Sequence, residues 1–432
     1  MLTRSQAHDG NEIPLPRRAR ILLVENTVRG LGGSYESLFL TAKALPRDRF
    51  EPIVLFFQES HFARKLRELG VRVIVGKSRR FWETEAYKKK TEKVRGALPR
   101  KGFIGRIRKT VVSLLRGLLG GIPMAWTVWR TIRREKIDLI HSNNNLERDV
   151  MVILGGVLAR VPIVVHERQL IPCSFLAARL SRRVHTLVCI SDAVHAFTLS
   201  SGAKPIHRVR VHNGIDLSVM RDVRPELPPG PRRVGIIGRI MPRKGQKTFL
   251  EAVSRLRREF PDIEAYVIGR ATGEDAPYEE ELQELCGRLG IEHCVRWTGY
   301  RDDPLGLIAS LDVAVHATIE PEPFGRVILE ALALGVPMVA TALGGPLEII
   351  EDGVSGYLVP PADPDALAAR VGDLLRDGSL ADRIRAEGRR RVEEKFGLDP
   401  YILSMVGIYE QALAGTESRS SPHDGSRLET AR

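Results

Sequence analysis

Only four of the 432 residues are cysteines, Cys173, Cys189, Cys286 and Cys294, and they form neither a CxxC pair nor a His/Cys cluster. That spacing argues against a zinc site and a disulfide framework, and a reducing cytosol is the expected compartment. Long apolar runs are also missing. The longest, residues 117–129, is about 13 residues against the ~20 needed to cross a bilayer. The stretch before the first expected strand has no apolar run of signal-peptide length, so neither a membrane span nor export is expected. Gly235 and Gly238 begin a glycine pattern that never completes GxGxxG, which disfavours a nicotinamide cofactor.

What is present points to a two-domain α/β protein. The length exceeds what one ordinary core accommodates, and 43% apolar residues describe a globular chain. Short β-branched runs alternate with amphipathic helices, the rhythm of parallel sheets covered on both faces. Strands are expected at 21–25, 52–57, 71–75, 137–141, 162–167 and 186–190, followed by the strand-like HRVRVHNGID. The four prolines of 223–231 suit neither a central strand nor a helix interior and mark a hinge. A second set of strands follows at 234–237, 265–269, 295–298, 313–316, 337–340 and 356–359. The expected domains are 19–222 and 232–396. A terminal helix over 397–414 crosses back to the first domain, and the ends, 1–18 and 415–432, are expected to be flexible.

The formal charge of +13 is localised. Residues 77–136 hold 18 Lys/Arg against 4 Glu, which accounts for the whole excess. Within them Ile104, Ile107, Val111, Leu114 and Leu118 share one helical stripe, with Arg106, Lys109, Ser113 and Arg116 opposite. A basic amphipathic helix of this kind suits an anionic membrane surface or its own domain equally. Polyanion binding through the same segment is a remote alternative, and no nucleic-acid module accompanies it.

Four segments place chemistry-bearing residues at the carboxyl ends of expected strands, where helix-start N–H groups face a ligand. The first, VENTVRGLGGSYESL, carries Gly30, Gly32 and Gly33 before a helix with Ser34 as its N-cap, a loop that lets the backbone approach an anion. The second, VGIIGRIMPRKGQ, sets Arg239 and Lys244 beside a helix start, where two cations can hold a diphosphate and neutralise charge as it departs. In the third, EPFGRVILEALALGVP, Glu322 precedes a Phe324-Gly325 turn and Glu330 follows on the helix; carboxylates are the usual partners of sugar hydroxyls. The fourth ends an apolar strand at His166, which reads equally as a ligand contact or a satisfied structural histidine.

Together these segments resemble the retaining glycosyltransferases of family 4, which have the GT-B architecture of two facing Rossmann-like domains with an interdomain cleft. The resemblance rests on LGGS (31–34), CISDAV (189–194), VHNGID (211–216), GRI…RKGQ (238–246), the Glu-x7-Glu pair Glu322/Glu330, and ALGGPLEIIEDGVSGYLVPPAD (342–363). It implies that Gly32 and Gly33 lie against the donor β-phosphate and that Arg239 and Lys244, with Gly238 beside them, bind the diphosphate. It gives the transferring sugar to His166 and to Glu322 with the N–H groups of Phe324 and Gly325. Glu330 would hold the ribose, and Thr298, Gly299, Tyr300 and Arg301 would line the base pocket. The implied activity is metal-independent hexosyl transfer from a UDP- or GDP-sugar to a glycan, lipid-linked or small-molecule acceptor, in the cytoplasm or on the inner membrane face, as in polysaccharide or glycolipid synthesis. A sugar-nucleotide epimerase or phosphorylase on the same fold is the alternative. The basic stretch 77–136 departs from the family outline.

Overall fold

The computed structural model of the chain describes residues 17–26, 33–76 and 121–420. The strands are β1 (Ala19–Glu25), β2 (Phe50–Phe56), β3 (Arg72–Val75), β4 (Leu139–Ser142), β5 (Ile163–Glu167), β6 (Thr186–Cys189), β7 (His207–Arg210), β8 (Arg233–Ile237), β9 (Glu264–Ile268), β10 (Val295–Gly299), β11 (Val313–His316), β12 (Met338–Thr341) and β13 (Tyr357–Val359). They form a seven-stranded sheet, ordered β3-β2-β1-β4-β5-β6-β7, and a six-stranded sheet, ordered β10-β9-β8-β11-β12-β13.

Two compact units divide the described residues. The first holds those up to Val188, Thr198–Val209 and those from Ile402; the second holds Cys189–Phe197 and Arg210–Tyr401. The division does not fall at the proline run. Residues 223–231 have no regular secondary structure, as their prolines dictate, but they are tied into the second unit. The Glu226 N–H donates to the Gly306 carbonyl at 2.9 Å, the Leu227 N–H donates to Ser310 Oγ at 3.0 Å, and Arg301 pairs with Glu226.

In the first unit β1, β2, β4, β5 and β6 are buried on both faces, which is why they read as continuous apolar runs. The edges differ. β3 and β7 are largely exposed and carry Arg72, His207, Arg208 and Arg210, charges that discourage pairing with a further strand. β1 pairs in parallel with both β2 and β4, so the strand order reverses between β1 and β4. The second unit repeats the plan, with the reversal between β8 and β11. Its core is Val234, Ile236, Phe249, Val253, Val267, Leu282, Val313, Val315 and Val371. Each such buried side chain contributes about 1.5–3 kcal/mol.

The terminal helix, Leu398–Ser420, runs six residues into the tail read as flexible. Gly415 packs beside the His185 ring, and the helix continues past it. Residues 421–432, Gly30, Gly32 and the amphipathic stripe Ile104–Leu118 lie outside the described residues. No helix among the described residues is long and apolar enough to cross a membrane.

Candidate active site

In an open parallel sheet the reversal of strand order leaves a crevice at the carboxyl ends, and ligands bind there. In the second unit the residues following β8 and β11 occupy that position. β8 ends at Ile237, and Gly238 turns the chain with φ +138°. The 3-10 turn Pro242–Lys244 then leads through Gly245, at φ +72°, into the helix Gln246–Leu256. A Cβ on Gly245 would lie 1.8 Å from the Ala317 carbonyl oxygen, so only glycine lets this turn close against the end of β11. The Ile319 N–H and the Thr318 hydroxyl both donate to the Arg243 carbonyl, at 2.9 and 2.8 Å, and hold the two loops together.

This packing brings Lys244 and Glu322 into contact. Lys244 Nζ donates to Glu322 Oε2 at 2.6 Å, with Arg243 Nη1 at 3.9 Å and His316 Nε2 at 3.6 Å from the same oxygen. Burial alone would raise the Glu322 carboxyl, but the His316 imidazole and the Lys244 ammonium outweigh it and hold the group well below the ordinary carboxylate range. The main chain of Glu322 is pinned as well. Its N–H donates to the Leu343 carbonyl at 3.3 Å and its carbonyl accepts from the Gly345 N–H at 2.8 Å. Two cations against one carboxylate leave an excess of positive charge suited to an anionic ligand.

The other expected residues take separate places in the same unit. Gly325, at φ +100°, caps the helix Arg326–Ala333 behind the buried Phe324. Glu330 accepts from Arg326 Nε at 3.0 Å on that helix. Arg239 does not join the Glu322 cluster: its guanidinium lies against Met241 Sδ, and Asp275 stands 4.0 Å away. Thr298, Gly299, Tyr300 and Arg301 follow at the end of β10, two strands from the reversal, with Arg270 over the Tyr300 ring at 5.3 Å.

Glu348, which sequence reasoning passed over inside GGPLE, organises two of the quoted motifs. Its carboxylate accepts from the Asp192 N–H at 2.9 Å, at the start of helix Asp192–Ser200, and contacts His212 Nε2 at 2.9 Å. Ser191 Oγ donates to the Pro323 carbonyl at 2.6 Å. CISDAV and VHNGID are thereby fastened to the loop that carries Glu322.

The first unit has its own polar cluster at the β1/β4 reversal. Gly33 begins the exposed end of helix Gly33–Ala44, one residue ahead of the expected Ser34 cap. Asn143 Nδ2 donates to Glu25 at 2.9 Å and to the Ser34 carbonyl at 2.7 Å, while Asn144 Nδ2 donates to Glu25 at 2.7 Å. His166, next to last in β5, is fully buried, stacked on His141 at 5.4 Å and contacting Arg168. Burial, with Arg168 and His141 nearby, pushes the His166 imidazole far below its ordinary value, so the ring is neutral. Asp149, which accepts from Ser142 Oγ at 2.5 Å, is pushed up by burial to about 7.

The profile of the Glycosyl transferases group 1 family matches residues 222–391, and that of Glycosyltransferase Family 4 matches residues 60–219. The chain belongs to the group 1, family 4 glycosyltransferases. An uncharacterized glycosyltransferase of Methanocaldococcus jannaschii is 27% identical over 65% of this chain and 76% of its own length. The D-inositol 3-phosphate glycosyltransferase of Streptomyces griseus is 28% identical over 69% of this chain and 67% of its own. Among solved structures, Anabaena HepE with UDP and glucose superposes with a TM-score of 0.74 at 24% identity, covering 91% of this chain and all of that one. The fold of this family 4 glycosyltransferase is accordingly GT-B, with two Rossmann-like parallel-sheet domains.

Sequence reasoning on this glycosyltransferase missed Arg243, His316, Glu348, Arg168 and the run Asn143-Asn144-Asn145. One signal was available: three consecutive asparagines after an apolar strand are polar groups that a buried strand end must satisfy.

Proposed function

We propose that the chain is a retaining hexosyltransferase that moves a hexosyl group from a UDP- or GDP-sugar to an acceptor hydroxyl of a glycan, lipid-linked or small molecule, without a metal ion. The observation that carries this reading is the Lys244–Glu322 pair at the β8/β11 reversal, beside the amino end of helix Arg326–Ala333. Lys244 and Arg243 there supply the charge that a departing diphosphate needs. Arg239, at 41% side-chain exposure, has the freedom to turn toward the same phosphates.

Glu322 is held ionised and so can only accept hydrogen bonds, which suits it to sugar hydroxyls. The family assigns the ribose to Glu330, the base to 298–301, the β-phosphate to Gly32 and Gly33, and a further sugar contact to His166. As the nucleoside diphosphate leaves, positive charge develops on the sugar ring. The acceptor hydroxyl then attacks from the face the diphosphate vacates, and its proton passes to the leaving phosphate. Names among the relatives are consistent with such a donor, since HepE was solved with UDP and glucose.

The reaction is tested with UDP-glucose, UDP-N-acetylglucosamine and GDP-mannose against alkyl glycosides in the presence of EDTA, following nucleoside diphosphate release and the anomeric proton coupling of the product. The expected result is release that requires an acceptor, with the donor's anomeric configuration kept. An inverted product, or turnover lost in EDTA, refutes the mechanism; release without any acceptor or a requirement for free phosphate would favour an epimerase side reaction or a phosphorylase.

A further inference from the structure

His166 is one of two imidazoles stacked in the interior of the first unit, and its chemistry depends on which ring nitrogen carries the proton. The neighbouring side chain decides this. Arg168 Nη2 stands 3.2 Å from His166 Nδ1. A guanidinium has five N–H donors and no acceptor, so Nδ1 must offer its lone pair, and in a neutral ring the proton then sits on Nε2. Arg168 has little freedom to do otherwise. Its own N–H donates to the Asn144 carbonyl at 3.0 Å, its Nε to the Asn143 carbonyl at 2.9 Å, and its Nη2 to Asn143 Oδ1 at 2.9 Å. Asn143 is anchored in turn on Glu25 and on the Ser34 carbonyl. The fork of Arg168 is thus aimed by the ends of β1 and β4, and lysine, a point charge on a flexible stem, could not reproduce the set.

We propose that Arg168 is a positioning residue that fixes the buried His166 ring as the Nε2–H tautomer, so that toward any ligand atom that reaches it Nε2 acts only as a hydrogen-bond donor. The ligand atom must then carry a lone pair: a hydroxyl, carbonyl or phosphate oxygen qualifies, and an ammonium does not. The catalytic consequence rests on the reading of His166 as a contact of the transferring sugar, whereas the tautomer itself does not.

The test uses full-length protein labelled with 15N in the histidine rings. Long-range 1H–15N spectra, with His166→Gln for assignment, report the protonated nitrogen directly. At pH 7 the wild type is expected to show a neutral ring protonated at Nε2. Arg168→Met is expected to give a mixture of neutral tautomers, Arg168→Lys a partial return, and Asn143→Ser, which removes the amide oxygen that aims the fork, a smaller shift in the same direction. Protonation at Nδ1 in the wild type, or an Arg168→Met spectrum identical to wild type, overturns the proposal, and the wild-type spectrum alone suffices if that variant does not fold. In donor turnover, Arg168→Met should lower kcat about tenfold, the worth of one hydrogen bond, with KM little changed. Spectra as expected with unaltered kcat in both Arg168→Met and His166→Gln would sustain the tautomer assignment and sink the placement of His166 at the sugar.

Discussion

Lys244→Ala is expected to lose turnover by roughly two to three orders of magnitude, the scale of removing one preorganised charge-stabilising group, and to lose stability as well. The 2.6 Å contact with Glu322 makes the pair part of the fold, because both side chains are mostly buried, at 19% and 12% exposure. Removing Lys244 leaves the buried carboxylate only the more distant Arg243 and His316, a loss of about 1.5–3 kcal/mol, the worth of a hydrogen bond between charged groups. The loss has a pH signature. Glu322 is depressed in the folded state from an ordinary value of 4.5, so its stabilising contribution is present above that pH and fades as pH falls through the folded value. Urea denaturation at pH 8 should therefore show the wild type and Lys244→Ala furthest apart, with the gap closing toward acidic pH. Adding Glu322→Ala should recover much of the stability and none of the activity. A Lys244→Ala protein with wild-type stability at pH 8 would mean that the pair is not formed.

Gly245→Ala is expected to be nearly as damaging, by a different route. Alanine at φ +72° is strained, and its Cβ would sit 1.8 Å from the Ala317 carbonyl oxygen and 2.7 Å from the carbonyl carbon. These are backbone atoms at the end of β11, one residue beyond His316, so relief requires moving the strand end or the turn that carries Lys244. A cost of about 3 kcal/mol or more corresponds to a fall in Tm of roughly 6–12 °C for a domain of this size. Calorimetry checks it. An alanine variant that melts with the wild type would show that the turn does not close against β11 as described.

How much of this was legible in advance depends on how local each feature is. The central strands announce themselves because a strand covered on both faces must be apolar throughout, as in ILLV of β1 or VGII of β8. β7, HRVR, alternates charge and reads only as strand-like, since an exposed edge needs no apolar run. Lys244, Glu322, Gly325 and Glu330 were legible as a motif, because a βα turn and the helix after it are set by nearby residues. Their partners were not. His316 looks like the last residue of an apolar strand, and its proximity to Glu322 follows from the curl of the intervening loop. Arg239 and Lys244 appear equivalent in the sequence, yet one lies against Met241 and Asp275 while the other reaches Glu322. The Asn143–Glu25 contact spans 118 residues and exists only because β4 settles beside β1. The proline run reads as a boundary because it interrupts regular structure, but compactness depends on what hydrogen-bonds to what, and Glu226 and Leu227 bond into the second unit.

In the proposed reaction a nucleoside diphosphate is held by the β8/β11 turn. Isothermal titration of UDP and of GDP into the wild type and Lys244→Met, in EDTA, tests it most directly, with uridine and guanosine as controls lacking phosphate. One diphosphate should bind the wild type, its nucleoside at least about tenfold more weakly, and the Lys244→Met protein should lose most of that difference. Binding that needs a divalent ion, or that is the same in both proteins, would contradict the account.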